Sequence, residues 1–382
     1  MTDENAFTEL ARRAAQAADR AAPPRTKSPQ AGPPARLPHQ ATEADRPGRA
    51  PAPQGSARVG LVLAGGGAKG AYELGVLEYM AERGIRVSAI AGTSIGALNG
   101  AVLASGETFF RGTQRLASFW ERFSVRMGAA LSEGRGLTLD EAGIPMEATA
   151  LQSERLLPRL RALRRRTALL EELIDEAVDP ARIRAGSPLW VTAYPLSDRD
   201  SLPEGLRHLG EVIRWIGGAQ ASIIRINDLD GPQLREAVLA SAALPFIFPT
   251  RVIDGCAYLD GGLGRGDRTP VRAFASAEHC DVLVVVHMHP DAPVAPGAAT
   301  GLVRIDIRPS VPVVPPGPLG PLTGLMNLNP DRVASLRALG YRDAATRFAE
   351  IERLLGARRA LDRAETAMLS ALRRLTGEPP MP

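Results

Sequence analysis

The sequence predicts an α/β protein with a mainly parallel central sheet flanked by helices. From residue 59 onward, short apolar runs typical of buried strands alternate with segments whose apolar residues have helical spacing. Two glycine-rich connections, at residues 65–70 and 92–96, each join an expected strand to an expected helix. An alternation of this kind favours a layered α/β architecture.

The elements follow in order from residue 59. We expect strands at residues 59–64, 87–91, 188–193, 222–226, 251–258, 281–288 and 302–307. Helices are expected at residues 71–83, 95–104, 107–178 (as one long helical stretch) and 232–242. After a proline-rich stretch at 309–321 we expect two C-terminal helices. The first begins at Asn329-Pro330, a good cap followed by a good first helical position.

Composition and charge are those of an ordinary globular chain of 382 residues, with 45% hydrophobic and 23% charged side chains. The formal net charge is +4, of which residues 1–58 contribute +3 from nine basic and six acidic side chains. The rest of the chain is nearly neutral, which argues against nucleic acid as a partner. The two cysteines, Cys256 and Cys280, are too few for a disulfide framework, so a reducing compartment is expected.

Residues 1–58 are expected to be a disordered tail, because residues 23–57 contain nine prolines among Ala, Gln and Arg. The N-terminus has no basic start followed by an apolar run, so no conventional signal peptide is expected. The longest clear apolar run, residues 282–286, is far too short to span a bilayer. We therefore expect a cytoplasmic protein that reaches any membrane peripherally, from the water side.

The first glycine-rich connection is a candidate anion site, because unpaired backbone N–H groups point outward at a helix start. It reads Gly65, Gly66, Gly67, Ala68, Lys69 and Gly70. The string satisfies the dinucleotide-binding pattern, but the next strand runs into Ser94 without the acidic residue that a ribose requires. A Walker A loop is excluded because Lys69 is not followed by Ser or Thr. The loop therefore favours an oxyanion hole, with Lys69 adding positive charge nearby.

Ser94 is the candidate nucleophile. It stands in Gly92-Thr93-Ser94-Ile95-Gly96, between an apolar strand and a helix rich in Ala and Leu. A serine in this setting sits on a sharp turn that pushes its hydroxyl out of the backbone. A side chain at Gly92 or Gly96 would collide with the neighbouring helix or strand.

A serine nucleophile needs a base, and the strongest candidate is an aspartate rather than a histidine. His287 and His289 end an apolar strand, but no histidine follows them to complete a zinc site, so structural or incidental roles are expected. Asp260 directly follows a strand-like segment, and Gly261 and Gly262 after it allow a close backbone turn.

Four blocks, in this order and spacing, resemble the bacterial patatin-like phospholipases. They are residues 65–70, 92–96, 240–245 (Ala-Ser-Ala-Ala-Leu-Pro) and 260–262, and residues 339–344 resemble a C-terminal element of bacterial relatives. The resemblance implies a patatin-like three-layer fold with a nucleophile elbow. It also implies a catalytic domain at 59–310, followed at 311–382 by a proline-rich linker and C-terminal helices packed on the core.

The same resemblance implies a serine lipid acyl hydrolase of the phospholipase A or lysophospholipase type, acting through an acyl-enzyme. Ser94 would be the nucleophile and Asp260 its base. The oxyanion hole would come from the loop of Gly65, Gly66, Gly67 and Ala68. Supporting roles would fall to Lys69, Gly70, Gly92, Gly96, Gly261 and Gly262. No metal or cofactor is implied, and the substrate would be a phospholipid or lysophospholipid.

One segment departs from the family pattern. The loop between Asp260 and Pro270 is longer than usual, and Arg268 stands where relatives carry Asn, so a different rate or substrate preference is expected. Three alternatives stay open from the sequence. They are a catalytically weak lipid-binding or host-interacting module on the same fold, a small-substrate esterase or thioesterase, and, more remotely, a nicotinamide-dependent oxidoreductase.

Two helical segments allow a functional and a structural interpretation. An aromatic stripe either lines an acyl tunnel or, as we expect, packs in the core: Phe109, Phe110, Leu116, Trp120 and Phe123. Arginines interleaved with leucines over residues 155–166 form either a basic face on anionic lipid or a solvated face. In the second case they would pair with Glu171, Glu172 and Asp175. The sequence leaves this choice, and the oligomeric state, open.

Overall fold

One eight-stranded sheet organises the described part of the chain. The computed structural model describes residues 58–133, 153–196, 220–245, 247–264, 268–274, 280–293, 302–314, 324 and 327–376, so the expected tail lies outside it except for Arg58. The strands are β1 (Val59–Leu63), β2 (Val87–Thr93), β3 (Leu189–Pro195), β4 (Ser222–Arg225), β5 (Arg251–Ile253), β6 (Cys256–Asp260), β7 (Val282–Val286) and β8 (Val303–Ile307).

Helices and short 3₁₀ turns connect these strands. The α-helices are α1 (Gly70–Glu82), α2 (Ile95–Ala104), α3 (Phe109–Glu133), α4 (Ser153–Ala177), α5 (Pro180–Ala185), α6 (Gly231–Ser241) and α7 (Pro330–Thr376). The 3₁₀ turns are Gly67–Lys69, Ile226–Asp228, Gly261–Leu263 and Val271–Phe274. The long helical stretch expected at 107–178 thus contains α3 and α4, and residues 134–152 between them lie outside the described residues.

The strand order is β5-β6-β3-β2-β1-β7-β8, with β4 also beside β3. Strands β3, β2, β1, β7 and β8 run parallel to one another. Strands β4 and β6 pair antiparallel with successive parts of β3, and β5 forms a hairpin with β6. The prediction of an α/β fold with a mainly parallel sheet flanked by helices is confirmed.

The central strands are apolar at nearly every position because both faces of the sheet are covered. Leu61 and Leu63 of β1 belong to a large cluster that includes residues of α1, α2, α3 and α6. Val62, on the opposite face, belongs to a smaller cluster with Trp190 and Phe274. A strand covered on both sides cannot show polar alternation, and this is why β1 and β7 appear in the sequence as continuous apolar runs.

The single strand expected at 251–258 is a hairpin instead. Asp254 and Gly255 have φ angles of 49° and 77° at the turn between β5 and β6. An Asp-Gly pair with both residues at positive φ is typical of a two-residue hairpin turn, so the sequence did contain the signal. The hairpin reverses the chain and brings Asp260 antiparallel to the carboxyl end of β3.

The expectation of two C-terminal helices is also wrong, because α7 is one helix of 47 residues. Asn329 caps it by accepting a hydrogen bond from the N–H of Asp331 at 2.9 Å. Its first part crosses α1 at backbone contact: a Cβ on Gly75 would lie 1.8 Å from a carbonyl oxygen of α7, and one on Gly340 would lie 2.0 Å from a carbonyl oxygen of α1. Residues 352–368, farther along α7, are exposed.

None of the helices in the described ranges combines the length and the apolar composition that a membrane crossing requires.

Candidate active site

Ser94 occupies a strained turn between β2 and α2. Its φ and ψ are 55° and −123°, and Asp254 is the other described non-glycine residue with positive φ. A serine in this conformation stores strain that the surrounding structure must offset. The backbone N–H of Ser94 donates to the Oγ of Ser241 on α6 at 2.9 Å, which helps to hold the turn.

Gly92 and Gly96 bring the elbow and its neighbours into backbone contact. A Cβ on Gly92 would lie 2.4 Å from the carbonyl oxygen of Gly96, and a Cβ on Gly96 would lie 2.5 Å from that of Leu63 on β1. No real Cβ tolerates such distances. The predicted supporting role of these two glycines is therefore steric: larger residues would push α2 away from the sheet.

Asp260 meets Ser94 across 166 residues of sequence. The Ser94 Oγ donates to Asp260 Oδ2 at 2.6 Å, and the other carboxylate oxygen, Oδ1, accepts from the N–H of Gly262 at 2.7 Å. The Asp260 N–H donates to the carbonyl of Ala243 at 3.0 Å. Both carboxylate oxygens and the backbone of Asp260 are thereby held in place.

The order of the strands explains this meeting. Strand β3 lies between β2 and β6, so the carboxyl ends of β2 and β6 are separated by a single strand. Thr93 of β2 is paired with Thr192 of β3, and their hydroxyls are 2.7 Å apart. Asp260 is paired with Ala193, the next residue of β3. Gly261 fits tightly here, because a Cβ on it would lie 2.1 Å from the Thr192 Oγ1.

Burial raises the pKa of the Asp260 carboxyl from its usual 3.8 to about 6, although hydrogen bonds from Ser94 and Gly262 and the charge of Arg268 all act to lower it. Asp260 has 2% and Ser94 has 6% of its surface exposed. A carboxylate that is poorly solvated is a stronger base than one in water. At neutral pH this carboxyl is mostly ionised and able to accept a proton.

The glycine-rich loop faces the same point from β1. Gly67 and Ala68 line one cavity together with Ser94. Among the described residues, the N–H groups of Gly66, Gly67 and Ala68 have no hydrogen-bond acceptor. Gly65 is different, because its N–H donates to the carbonyl oxygen of Arg268 at 2.7 Å. The expectation that Gly65 contributes an oxyanion donor is therefore wrong, although the residue anchors the loop.

Arg268, the departure from the family pattern, touches this site in two ways. Its carbonyl fixes the loop at Gly65, and its charge lowers the pKa of Asp260 against the effect of burial. Lys69 is buried, with 3% of its surface exposed, and its Cε would lie 3.1 Å from a Cβ on Gly66. Lys69 therefore packs under the loop rather than extending into solvent.

An apolar cavity that is partly open to solvent lies beside Ser94. Its walls come from α2, α3, α4, the segment after α6 and the segment before α7. The apolar lining side chains are Ile95, Leu98, Phe123, Met127, Leu170, Leu244, Phe248 and Leu328. Of the predicted aromatic stripe, Phe123 lines this cavity. Leu116 and Trp120 pack in the core, and Phe110 is about half exposed.

A buried polar group lies behind the loop and the elbow, and sequence reasoning missed it. The Asn99 Nδ2 of α2 donates to Glu73 Oε2 at 2.8 Å and to the Gly70 carbonyl at 3.1 Å. The Trp120 Nε1 donates to Asn99 Oδ1 at 3.0 Å. Burial raises the pKa of Glu73 well above its usual range, which favours the protonated form of this carboxyl. The group joins α1, α2 and α3 around the base of the site.

Two histidines, His287 and His289, lie within the described residues, and the contacts given for them are not with Ser94 or Asp260. His287 Nε2 is 2.6 Å from Asp306 Oδ1, and burial lowers the pKa of His287, so the ring is neutral at neutral pH. His289 Nδ1 accepts the N–H of Asp291 at 3.1 Å. These contacts agree with the structural role expected for both.

Ser241 contacts Ser94 and was given no role from the sequence. It lies in the block 240–245, one of the four blocks that resemble the family.

Comparison with known proteins bears on this arrangement. The family model described as Patatin-like phospholipase matches residues 61–275. Short segments of this chain also match two other proteins. "Lysophospholipase nte1" of Aspergillus terreus is 56% identical over 46 residues, which make up 12% of this chain and 3% of that protein. "Neuropathy target esterase sws" of Drosophila melanogaster matches at 45% identity over 64 residues, 17% of this chain and 4% of that protein. The matched segments thus span only a small fraction of these relatives.

Two solved structures are similar at low identity. VipD from Legionella pneumophila gives a TM-score of 0.37 at 15% identity, covering 77% of this chain and 67% of that one. The type III effector protein ExoU gives a TM-score of 0.34 at 17% identity, covering 77% of this chain and 53% of that one. Both TM-scores are below 0.5. The family match, by contrast, spans more than half of the 382 residues and contains the elbow, the glycine-rich loop and Asp260. The chain therefore belongs to the patatin-like phospholipase family, as the four sequence blocks predicted.

Proposed function

We propose that this protein is a serine lipid acyl hydrolase, of the phospholipase A or lysophospholipase type, that works through a Ser94–Asp260 dyad. The observation that carries the proposal is the 2.6 Å hydrogen bond from Ser94 Oγ to Asp260 Oδ2 at the mouth of an apolar cavity. A nucleophile, a base and a site for an acyl chain thus lie together. The names of the matched lysophospholipase and esterase relatives support the same substrate class.

The first half-reaction forms an acyl-enzyme. Ser94 Oγ attacks the ester carbonyl carbon while its proton passes to Asp260. The N–H groups of Gly66, Gly67 and Ala68 stabilise the negative oxygen of the tetrahedral intermediate, and each such donor is worth about a hundredfold in rate. The intermediate collapses, the ester C–O bond breaks, and the leaving alcohol takes the proton from Asp260.

The second half-reaction regenerates the enzyme. A water molecule gives a proton to Asp260 and attacks the acyl carbon through the same oxyanion geometry. The Ser94–acyl bond then breaks, the fatty acid leaves, and Ser94 Oγ recovers the proton. Because Asp260 alternates between base and acid, a pKa of about 6 suits both halves near neutral pH.

The lipid is reached from a membrane or micelle surface in this proposal. Arg164 and Arg165 near the middle of α4 are exposed, and they remain the candidate basic face. For a solvated face, the alternative, these arginines would pair with Glu171, Glu172 and Asp175; Glu172 pairs with Arg126 at 2.8 Å, and Asp175 and Glu171 pair with Arg235 at 2.6 Å and 3.5 Å. Reversing the charge of the α4 arginines should weaken binding to anionic vesicles, and unchanged binding would exclude this face.

A fluorophosphonate probe tests the dyad. The probe should label the wild-type protein at Ser94, located by peptide mass spectrometry, and Ser94→Ala should not be labelled. Ser335→Ala, a change at an exposed serine of α7, is the matched control and should label normally. Fatty-acid release from phosphatidylcholine and lysophosphatidylcholine should follow the labelling. A folded wild-type protein that neither labels nor releases fatty acid would refute the proposal and favour a lipid-binding module.

A further inference from the structure

The outer part of α7 is a helix with solvent on all sides. Every residue from 352 to 368 is exposed, although the helix continues to Thr376. At 1.5 Å per residue, these 17 residues form a rod about 25 Å long. Leu354 is 68%, Leu361 59% and Met368 58% exposed, which is unusual for large apolar side chains on one element.

These apolar residues repeat every seven positions. In a heptad written abcdefg, Leu354, Leu361 and Met368 occupy a, and the sequence places Leu375 at the next a. The d positions between them are all alanine: Ala357, Ala364 and Ala371. A narrow a/d seam of this kind is typical of a two-stranded coiled coil, and alanine at d allows the two helices to approach closely.

The charges beside the seam select an orientation. In a parallel pair, g of one helix faces e of the next heptad, so Arg353 would face Arg358 of the other helix. In an antiparallel pair, e faces e, and Arg358 faces Glu365 of the other helix twice by symmetry. The same antiparallel alignment brings two like charges together, Arg353 of one helix and Arg374 of the other, but only at the ends of the seam. A slip by one heptad would place Arg358 against Arg358, or Glu365 against Glu365.

We propose that residues 354–376 form a two-stranded antiparallel coiled coil with a second copy of this chain, which makes the protein a homodimer. The pairing is isologous, as a two-fold axis requires: each copy presents the same seam and the same Arg358 and Glu365. The charges of Arg358 and Glu365 favour this occupant over lipid, because at the e positions they interrupt the apolar face that a helix lying on a membrane presents. The proposal does not depend on the catalytic activity.

The first test places a charge in the a/d seam and compares it with a charge placed outside the seam. Light scattering on the full chain, with reductant to exclude a disulfide through the exposed Cys256, should give a dimer mass at about 100 µM. Leu361→Glu should give a monomer. Leu355→Glu changes an equally large side chain that is 52% exposed but lies at b, outside the seam, and should remain a dimer. Circular dichroism should be similar for all three proteins.

The second test checks the register. Arg358→Glu or Glu365→Arg alone places like charges together twice and should weaken the dimer about tenfold. The double variant Arg358→Glu with Glu365→Arg restores opposite charges and should return the dissociation constant to near the wild-type value. A parallel or slipped pair would not show this rescue.

Several results would overturn the proposal. A wild-type protein that stays monomeric at about 100 µM excludes the dimer. A Leu361→Glu protein that still dimerises assigns the interface to another surface, and a double variant no stronger than the single ones excludes this register. If the wild type is monomeric and Leu355→Glu and Leu361→Glu both weaken binding to phosphatidylglycerol vesicles, the helix lies on lipid instead.

Discussion

Replacing Asp260 by Asn should abolish activity and at the same time stabilise the protein at neutral pH. The reason is the cost of keeping an ionised carboxylate buried. Burial raises the pKa of Asp260 from 3.8 to about 6, and a tenfold change in proton affinity corresponds to about 1.4 kcal/mol. Keeping Asp260 ionised at neutral pH therefore lowers the free energy of unfolding by about 3 kcal/mol, compared with a neutral side chain at this position. Asn has nearly the same shape, accepts the Gly262 N–H and carries no charge.

The pH dependence fixes the sign of this effect. Between about pH 4 and 6 the folded protein binds a proton at Asp260 that the unfolded chain has released, so its stability falls as pH rises through this window. Below the window both states are protonated, and the cost of ionisation disappears. The advantage of Asp260→Asn over wild type should thus grow by about 2 to 3 kcal/mol from pH 4 to pH 7.

Urea unfolding of the full chain at several pH values, followed by circular dichroism, measures this difference. Asp254→Asn makes the same chemical change at an exposed turn and should alter stability by less than about 0.5 kcal/mol at every pH. An Asp260→Asn protein whose stability relative to wild type does not change between pH 4 and 7 would refute the reasoning. So would one that retains wild-type activity.

Four further predictions follow from the same geometry. The kcat/KM of the wild type should fall tenfold per pH unit below about pH 6, as Asp260 becomes protonated, and a flat pH–rate profile would contradict its role as base. Gly92→Ala should cost about 3 kcal/mol or more in urea unfolding, because its Cβ would lie 2.4 Å from a carbonyl oxygen. Gly340→Ala should cost about as much, because its Cβ would lie 2.0 Å from a carbonyl oxygen of α1. Gly356→Ala is the control: its Cβ would have no neighbouring atom within 4 Å, so this change should stabilise the protein by about 1 kcal/mol. Equal effects of the two changes would argue against the close crossing of α1 and α7. Glu73→Gln should cost about 1 kcal/mol, because it keeps the shape and a hydrogen-bonding group, whereas Glu73→Ala should cost about 3 kcal/mol, because it leaves a cavity; the reverse order would contradict the packing seen around Asn99.

Local sequence chemistry was sufficient for the predictions that depend on near neighbours. Strand β1, the glycine-rich loop and the Ser94 elbow are each specified within a few residues, by an apolar run, by glycines and by a strand-to-helix junction. The hairpin at Asp254 was missed although its Asp-Gly signal is local. The length of α7 was also missed; the helix contains Gly340, a residue that usually weakens a helix but is here required by the contact with α1.

The sequence by itself determined the family, the α/β architecture and the residue types of the candidate site, because these depend on short motifs and on the period of apolar residues. It could not determine which groups meet. The tertiary structure decided that Ser94 and Asp260 share a hydrogen bond across the width of one strand. It also decided that the Gly65 N–H donates to the carbonyl of Arg268, and that side chains from five separate helices or segments line one apolar cavity. Each of these outcomes depends on strand order and helix packing, which arise from contacts between residues distant in sequence, and no local pattern encodes them.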